Sequence, residues 1–127
     1  MPQLNEVCLL VCMIETVEGL ENVEEIAAVP GIDVIHVGSN DLLVNMGKAG
    51  QFDDPAIIAA QDRVIKACKA NAIFAGCGGN RDVARQADAV KRGAQFLTTQ
   101  NDIGFLSAAA GAWTKGVRDA LGKGGKA

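Results

Sequence analysis

Two apolar runs near the start of the chain each end in a carboxylate, and one short helical segment separates them. Residues 7–14 are followed by Glu15, and residues 32–37 are followed by the polar turn 38–41, which ends in Asp41. Uninterrupted apolar runs of this length are typical of parallel strands buried on both faces. Because the parallel strands of a βα repeat end at the same edge, we predict that the two acids lie together as ligands of one metal ion.

The same alternation continues, so that the chain contains four strand–helix units. Further strands are predicted at residues 72–75 and 94–98. Asn22, Asp54 and Asn80 are the predicted N-caps, because such side chains accept hydrogen bonds from the first amides of a helix. The predicted inner helix faces are Val23, Ile26 and Ala27, then Ile57, Ala60, Val64 and Ala67, then Val83, Ala84, Ala87 and Val90, and finally Leu106, Ala109, Trp113 and Val117. The predicted fold class is α/β, with parallel βα repeats that make half a barrel or a small open sheet.

Composition limits the classes of partner and location. The 127 residues carry a formal charge of −3, which argues against nucleic acid or an anionic membrane as the main partner. A small anionic substrate stays open, because a bound metal reverses the local field of an acidic surface. The first residues, MPQLNEV, lack a basic segment, and the apolar run stops at Glu15. Neither a signal peptide nor a membrane span is therefore expected, and the predicted location is the cytoplasm.

The cysteines and the single histidine do not form a metal-binding pattern. Cys8, Cys12, Cys68 and Cys77 include no CxxC pair and show no zinc-like spacing with His36. We interpret the cysteines as reduced thiols, mostly small core residues. His36 lies inside the predicted second strand, which favours a structural residue packed in or against the sheet.

The segment MIETVEGLENVEEIAAVPGIDVIHVGSNDL resembles the HpcH/HpaI aldolases, the metal-dependent class II pyruvate aldolases. The likeness extends through GQFDDP, the helix end KACKAN, the glycine loop at 76–79 and NDIGFLSAAA, so that it covers nearly the whole chain. It matches the second half of the family's (β/α)8 TIM barrel. The resemblance therefore implies that residues 1–121 form a C-terminal half-barrel, and the tail 122–127 is expected to be disordered.

The resemblance also implies roles for the two carboxylates and the turn. Glu15 in the IET motif and Asp41 in the GSND turn correspond to the family's metal ligands. Two carboxylates with open coordination positions suit Mg²⁺ or Mn²⁺, with Co²⁺ as a third option. The substrate-binding turn would be Gly38, Ser39, Asn40 and Asp41, whose amides would hold the carboxylate of pyruvate.

The implied function is that of a carbon–carbon lyase. Members of the family cleave 4-hydroxy-2-oxo acids reversibly to pyruvate and an aldehyde, with the enolate stabilised by a divalent metal. Their catalytic histidine and substrate-binding arginine come from the first half of the barrel and have no counterpart in this sequence. We therefore assign no catalytic residue, and we expect the isolated chain to be incomplete. The resemblance further implies a homo-oligomer in which Leu106 and Trp113 contact a neighbouring subunit.

Three alternatives stay open. Glu15 and Asp41 could each serve only a local turn at a strand end. The chain could be a non-catalytic half-barrel or assembly module that needs a second half to form a site, because an incomplete barrel exposes sheet edges. It could also bind phosphate through Arg81 and the glycine loop at 76–79, although no GxGxxG frame is present. Residues 99–102 are interpreted as the outgoing turn of the fourth strand.

Overall fold

Four parallel strands form one sheet in the order β1-β2-β3-β4, with helices in the connections. The computed structural model describes residues 6–122. The elements are β1 (Val11–Ile14), α1 (Val17–Glu21), α2 (Val23–Ala27), β2 (Val34–Gly38), α3 (Ser39–Asn45), α4 (Pro55–Ala70), β3 (Phe74–Gly78), α5 (Val83–Arg92), β4 (Phe96–Leu97) and α6 (Asp102–Ala120). The predicted parallel βα repeat is confirmed. Apart from Gly122, the predicted disordered tail 122–127 lies outside the described residues.

The two faces of the sheet have different environments. One face points toward the helices and carries Ile14, Val37 and Cys77, which lie side by side in register and are buried. Side chains alternate along a strand, so the intervening residues point to the opposite face. On that face Met13 and Phe74 are 53% and 52% exposed. Within the described chain, the sheet is therefore covered by helices on one face and open on the other.

α4 agrees closely with its predicted pattern. The side chain of Asp54 is its N-cap and accepts a hydrogen bond from the amide of Ala56 at 2.8 Å. All four predicted inner residues are buried: Ile57, Ala60, Val64 and Ala67. The predicted face of α2 is also confirmed, because Val23 and Ala27 are buried and Ile26 packs against the core. Both helices pack on the sheet through small and branched apolar residues, which is the arrangement that apolar periodicity detects.

Of the other two predicted N-caps, Asn22 occupies the N-cap position of α2 as predicted, whereas Asn80 does not cap α5. The side chain of Asn22 makes no cap hydrogen bond and instead donates to the carbonyl of Glu18 at 2.8 Å. The first helix begins earlier, with Thr16 as its N-cap. Asn80 accepts a hydrogen bond from the amide of Asp82, and Asp82 is the residue that caps α5. Between β3 and α5 the chain offers two cap-forming residues, Asn80 and Asp82, and its path in three dimensions decides which one begins the helix.

The strand bounds also differ from the prediction. β1 is confined to Val11–Ile14, and Val7 and Leu9 are exposed, because the partner strand β2 begins only at Val34. β3 runs from Phe74 to Gly78, later than predicted. Most of the predicted glycine loop is therefore inside the sheet, where it is not available as a phosphate-binding loop.

Positions 76 and 78 of β3 are glycines because the imidazole of His36 occupies the space that any larger side chain there would need. A Cβ atom on Gly76 would lie 2.6 Å from Nδ1 of His36, and one on Gly78 would lie 2.6 Å from Nε2. His36 is only 2% exposed, and its ring meets the ring of Phe96 edge-on with centroids 5.6 Å apart. The predicted structural role of His36, packed in the sheet, is confirmed.

The predicted inner face of α5 is wrong. All four of its residues are exposed: Val83, Ala84, Ala87 and Val90. The helix instead turns Ala89 to the core, and Arg92 from its last turn donates to Asp62 at 2.5 Å and to Asp88 at 2.8 Å. Gln86 donates to the carbonyl of Asn80 at 2.7 Å. Polar side chains hold this helix in place, so its apolar periodicity does not indicate the face that contacts the rest of the protein.

The last helix, α6, has no buried residue. Its predicted inner stripe is exposed in the described chain, with Leu106 at 72%, Trp113 at 78% and Val117 at 50%. Its N-cap is Asn101, which accepts a hydrogen bond from the amide of Gly104 at 2.8 Å. Across residues 6–122, we find no helix that combines the length and the apolar character needed to cross a membrane.

Candidate functional site

Glu15 follows β1 directly and lies over the end of the neighbouring strand. A Cβ atom on Gly38 would be 2.9 Å from Cγ and 3.0 Å from Oε1 of Glu15. Only glycine at position 38 therefore leaves room for the Glu15 side chain to extend across the end of β2. This contact brings Glu15 next to the segment that carries Asp41.

The predicted polar turn 38–41 is the start of a helix. Gly38 is the N-cap of α3, and Asp41 is in its first turn. The helix forms because Leu42 and Leu43 are fully buried beneath it, while Ser39 is only 1% exposed. Its cap residue provides no side-chain hydrogen bond to the first amides. These amides therefore stay available to a ligand, and the positive end of the helix favours an anion.

Gly79 keeps the space beside these amides open. A Cβ atom at this position would lie 2.8 Å from the amide nitrogen of Asn40 and 3.4 Å from that of Ser39. The backbone of Gly79 also has φ +80°, a conformation that favours glycine. Any other residue at position 79 would fill the space in front of the Asn40 amide. The end of β3 and the start of α3 thus form a cradle for a small group.

The two carboxylates fit a hard divalent cation. Neither Glu15 nor Asp41 forms an ion pair within residues 6–122. The described residues also contain no cluster of three or more His, Cys, Asp or Glu side chains that could hold a metal. Carboxylate oxygens are the ligands that a hard divalent cation such as Mg²⁺ prefers, with water or substrate in its other positions.

A cleft of about 530 Å³ extends from α3 to the end of β4. Its polar lining includes Asn40, Asp41, Arg81, Thr98, Gln100 and Asn101. The cleft places the predicted site residues Asn40 and Asp41 together with residues from the last two strand ends. Parallel strands bring these segments to one edge although they are far apart in sequence.

A model of the HpcH/HpaI aldolase/citrate lyase family matches residues 3–109. The chain belongs to this family. A 4-hydroxy-4-methyl-2-oxoglutarate aldolase from Chaetomium globosum is 36% identical over 104 residues, and a hydroxypyruvate/pyruvate aldolase from Rhizorhabdus wittichii is 36% identical over 114 residues. These alignments cover 80% and 85% of the chain but only 38% and 43% of the two relatives.

Solved HpcH/HpaI structures show the same architecture. The family protein from Burkholderia cenocepacia superposes with a TM-score of 0.80 at 29% identity, covering 87% of this chain and 42% of that one. The aldolase from Desulfitobacterium hafniense gives 0.80 at 27% identity, covering 92% and 45%. The four βα units therefore correspond to part of the HpcH/HpaI barrel, as predicted. The chain spans less than half the length of these relatives.

In this HpcH/HpaI chain the single histidine supports the cleft from within the sheet. Nε2 of His36 lies 2.9 Å from Oγ1 of Thr98, while Nδ1 is buried without a hydrogen-bond partner. Burial lowers the pKa of His36 below its usual value, so the ring is neutral at physiological pH. Thr98 itself is exposed in the cleft.

The cysteines take no part in this site. Cys68 and Cys77 are buried, as predicted, and burial raises the pKa of both thiols. Cys12 packs against the core and Cys8 is exposed, in agreement with the prediction that the cysteines are mostly core residues. All four are free thiols in the structure.

Sequence reasoning missed four residues of the cleft lining. Thr98, Gln100 and Asn101 were interpreted only as strand end and turn, and Gly79 as part of a glycine loop. Their signal was a polar run immediately after the fourth apolar run, in the same position that Glu15 and Asp41 occupy after the first two. For residues that line the cleft, position immediately after a parallel strand is thus a better indicator than residue type.

Proposed function

We propose that this chain contributes the metal-binding and pyruvate-binding part of an aldolase. The reaction is the reversible cleavage of 4-hydroxy-2-oxo acids to pyruvate and an aldehyde. The observation that carries the proposal is the packing of Glu15 against Gly38, the residue that begins α3, whose uncapped first turn contains Asp41. The aldolase names of the relatives from Chaetomium globosum and Rhizorhabdus wittichii support the same reaction class.

In the proposed site, Glu15 and Asp41 hold a divalent cation such as Mg²⁺ or Mn²⁺. The chemistry that such a cation supplies is Lewis-acid stabilisation of the negative charge that develops on the keto oxygen of pyruvate. Gly38 has a positioning role, because it leaves the space through which Glu15 reaches the site.

The amides of Ser39, Asn40 and Asp41 bind the carboxylate of pyruvate. They belong to the first turn of α3, where backbone N–H groups have no partner inside the helix. Gly79 keeps the approach to the Asn40 amide clear. A carboxylate held there is oriented by fixed donors, which lowers the entropic cost of aligning the keto group with the cation.

The proton that leaves the 4-hydroxyl group has no acceptor assigned in this chain. His36 is the single histidine, and it is buried beneath Thr98 in the sheet. The proposal therefore places the catalytic base and the substrate-binding arginine on barrel units outside these four.

Calorimetric titration with Mn²⁺, followed by pyruvate, tests the proposal. The expected result is metal binding and pyruvate binding that depends on the metal. Glu15→Gln and Asp41→Asn should each abolish the metal response, while the matched control Glu25→Gln, an exposed acid on α2, should leave it unchanged. Metal affinity retained in both site variants would contradict the assignment.

A non-catalytic half-barrel is the second candidate, and the exposed sheet face favours it. Met13 and Phe74 leave an apolar surface that a complete barrel would enclose. This candidate predicts a folded chain that binds neither Mn²⁺ nor pyruvate by itself and gains both activities when a second half covers the face. Binding by the isolated chain would argue against it.

We also propose that the chain assembles with copies of itself through α6. The support is the exposed stripe of Leu106, Trp113 and Val117 on a helix without a buried residue. Sedimentation analysis should show an oligomer that Trp113→Glu dissociates, whereas Arg118→Gln on the same helix should not. A monomeric wild-type chain would overturn this proposal.

A further inference from the structure

A series of polar side chains leads from the surface of α5 through α4 to the first residue of α3. Asp62 and Asp88 are exposed and pair with Arg92, whose guanidinium group also contacts Gln61. Gln61 in turn donates a hydrogen bond to the hydroxyl group of Ser39 at 3.3 Å. Ser39 begins α3, whose first turn is the proposed binding site for the carboxylate of pyruvate. Polar contacts therefore connect the proposed site to two outer helices.

The orientation of the Gln61 side chain is fixed by its two partners. The guanidinium group of Arg92 contains only donors, so the atom that it contacts at 2.5 Å is the oxygen Oε1 of Gln61. Nε2 of Gln61 therefore faces Ser39, and because this NH₂ group only donates, Oγ of Ser39 accepts. Arg92 is itself held by Asp62 at 2.5 Å and by Asp88 at 2.8 Å. The amide group of Gln61 is thus kept in one orientation.

Ser39 is buried at the start of α3, where backbone amides compete for its hydroxyl oxygen. The residue is 1% exposed. A serine oxygen readily accepts a hydrogen bond from the backbone amide two residues later, and such bonds are common where helices begin. For Ser39 this amide belongs to Asp41, one of the three amides assigned to the carboxylate of pyruvate. Among the described residues, no amide of α3 donates to this oxygen, which is bonded to Gln61 instead.

The hydrogen bond from Gln61 keeps the hydroxyl oxygen of Ser39 turned toward α4. A buried hydroxyl group without a partner is costly, so an oxygen released from Gln61 would accept from another donor. The donors next to it in the chain are the first amides of α3, which have no partner inside the helix. Without Gln61, Ser39 would therefore occupy an amide that the carboxylate of pyruvate needs.

We infer that Gln61 is a positioning residue for pyruvate binding. It holds the hydroxyl group of Ser39 away from the amides of α3 and so keeps these amides free for the carboxylate of the substrate. Gln61 acts through Ser39, and Arg92 supports it by fixing its orientation. This inference rests on the proposed function, because it requires the carboxylate of pyruvate to bind at the start of α3.

Calorimetric titration of the full chain with Mn²⁺ and then pyruvate tests the inference in Gln61→Met. Methionine keeps the length of this half-buried side chain but removes its amide group. The dissociation constant of pyruvate should rise about fivefold, the size of one hydrogen bond. The dissociation constant of Mn²⁺ should stay the same, because Glu15 and Asp41 are unchanged. Gln95→Met, at an exposed glutamine before β4, is the matched control and should change neither constant.

A double-mutant cycle with Ser39→Ala separates positioning from a purely structural role of Gln61. Gln61→Met should weaken pyruvate binding about fivefold only in the chain that has the serine hydroxyl group. In the Ser39→Ala background no side-chain oxygen at position 39 competes for the amides, so Gln61→Met should have no further effect. Equal losses in the two backgrounds would mean that Gln61 only supports the packing of α4, and they would overturn the inference.

Amide hydrogen exchange followed by NMR gives a second readout that needs no ligand. In the wild-type chain the amide of Asp41 is free, whereas in Gln61→Met it should donate to Ser39 and exchange more slowly. The slower exchange should disappear in the chain that carries both Gln61→Met and Ser39→Ala. An Asp41 amide that exchanges at the same rate in the wild-type chain and in Gln61→Met would contradict the inference.

The outcomes separate this inference from the proposed function. If the wild-type chain binds pyruvate in the presence of Mn²⁺ and Gln61→Met binds it equally well, the inference is wrong, while the proposed function stands. A Gln61→Met chain that loses as much affinity for Mn²⁺ as for pyruvate would also overturn it, because Gln61 would then support the whole site. If the wild-type chain binds no pyruvate, the proposed function fails and the inference fails with it.

Discussion

The two faces of the sheet are built from the same four strands but depend on different kinds of contact. The face toward the helices is filled with interlocking apolar side chains, of which Ile35 is fully buried. On the open face, His36 lies over Gly76 and Gly78, with Met13 exposed nearby in the same row. The difference shows that apolar volume fills the face toward the helices, whereas on the other face two glycines make room for a buried polar ring beside Val34.

The largest expected effect is on the face toward the helices. Ile35→Ala should destabilise the fold by about 2–5 kcal/mol, because the deletion leaves a cavity in a packed core. Ile58→Ala is the matched control, since Ile58 is 38% exposed on α4. Urea denaturation followed by circular dichroism measures both. Equal losses of unfolding free energy in the two variants would contradict the apolar packing of the face toward the helices.

On the open face, Gly76→Ala should cost about 1–3 kcal/mol through overpacking. A Cβ atom there would lie 2.6 Å from Nδ1 of His36 and 2.8 Å from the backbone oxygen of Phe96. Gly111→Ala on α6 is the control, because a Cβ atom at that position meets nothing within 4 Å. The same denaturation assay applies, and a neutral Gly76→Ala would show that the ring of His36 is free to move.

Stability should depend on pH through His36. Burial lowers the pKa of His36 in the folded chain below its unfolded value near 6.5, so the unfolded chain binds the proton more readily. Stability is therefore fully present above about pH 6.5 and is lost as the pH falls toward the folded pKa. His36→Phe should flatten the urea midpoint between pH 5 and pH 7. A wild-type midpoint that stays constant over this range would contradict the buried, neutral ring.

The smallest effect is expected at the exposed apolar residue of the open face. Phe74→Ser should change the free energy of unfolding by no more than about 0.5 kcal/mol, as is usual for exposed positions. A larger loss, measured by the same urea titration at several protein concentrations, would mean that another chain covers this face. That result would make the two faces of the sheet equivalent in the assembled protein.

Local patterns predicted those parts of the structure that apolar burial determines. The four strands, the inner faces of α2 and α4, and the cap at Asp54 all follow from residue type and spacing, and the structure confirms them. α5 was predicted wrongly because Arg92 and Gln86 hold it through polar contacts that have no apolar period. Periodicity detects a buried face only where the burial is apolar.

The candidate site also contains residues that local patterns indicate and residues that they do not. Glu15 and Asp41 were found from the sequence because each follows a recognisable apolar run, although their role as metal ligands stays a prediction. Gly79 and Thr98 were missed because their significance depends on what lies across the cleft: an amide in α3 for Gly79, and a histidine two strands away for Thr98.

The sequence by itself determined the four strand–helix units, the family and the edge of the sheet at which polar residues collect, because these depend on local apolar runs and on the polar residues that follow them. Only the tertiary structure decided that Gly38, Gly76 and Gly78 are spaces for the side chains of Glu15 and His36. The reason is steric: what a glycine makes room for comes from another strand, and no local pattern contains that information.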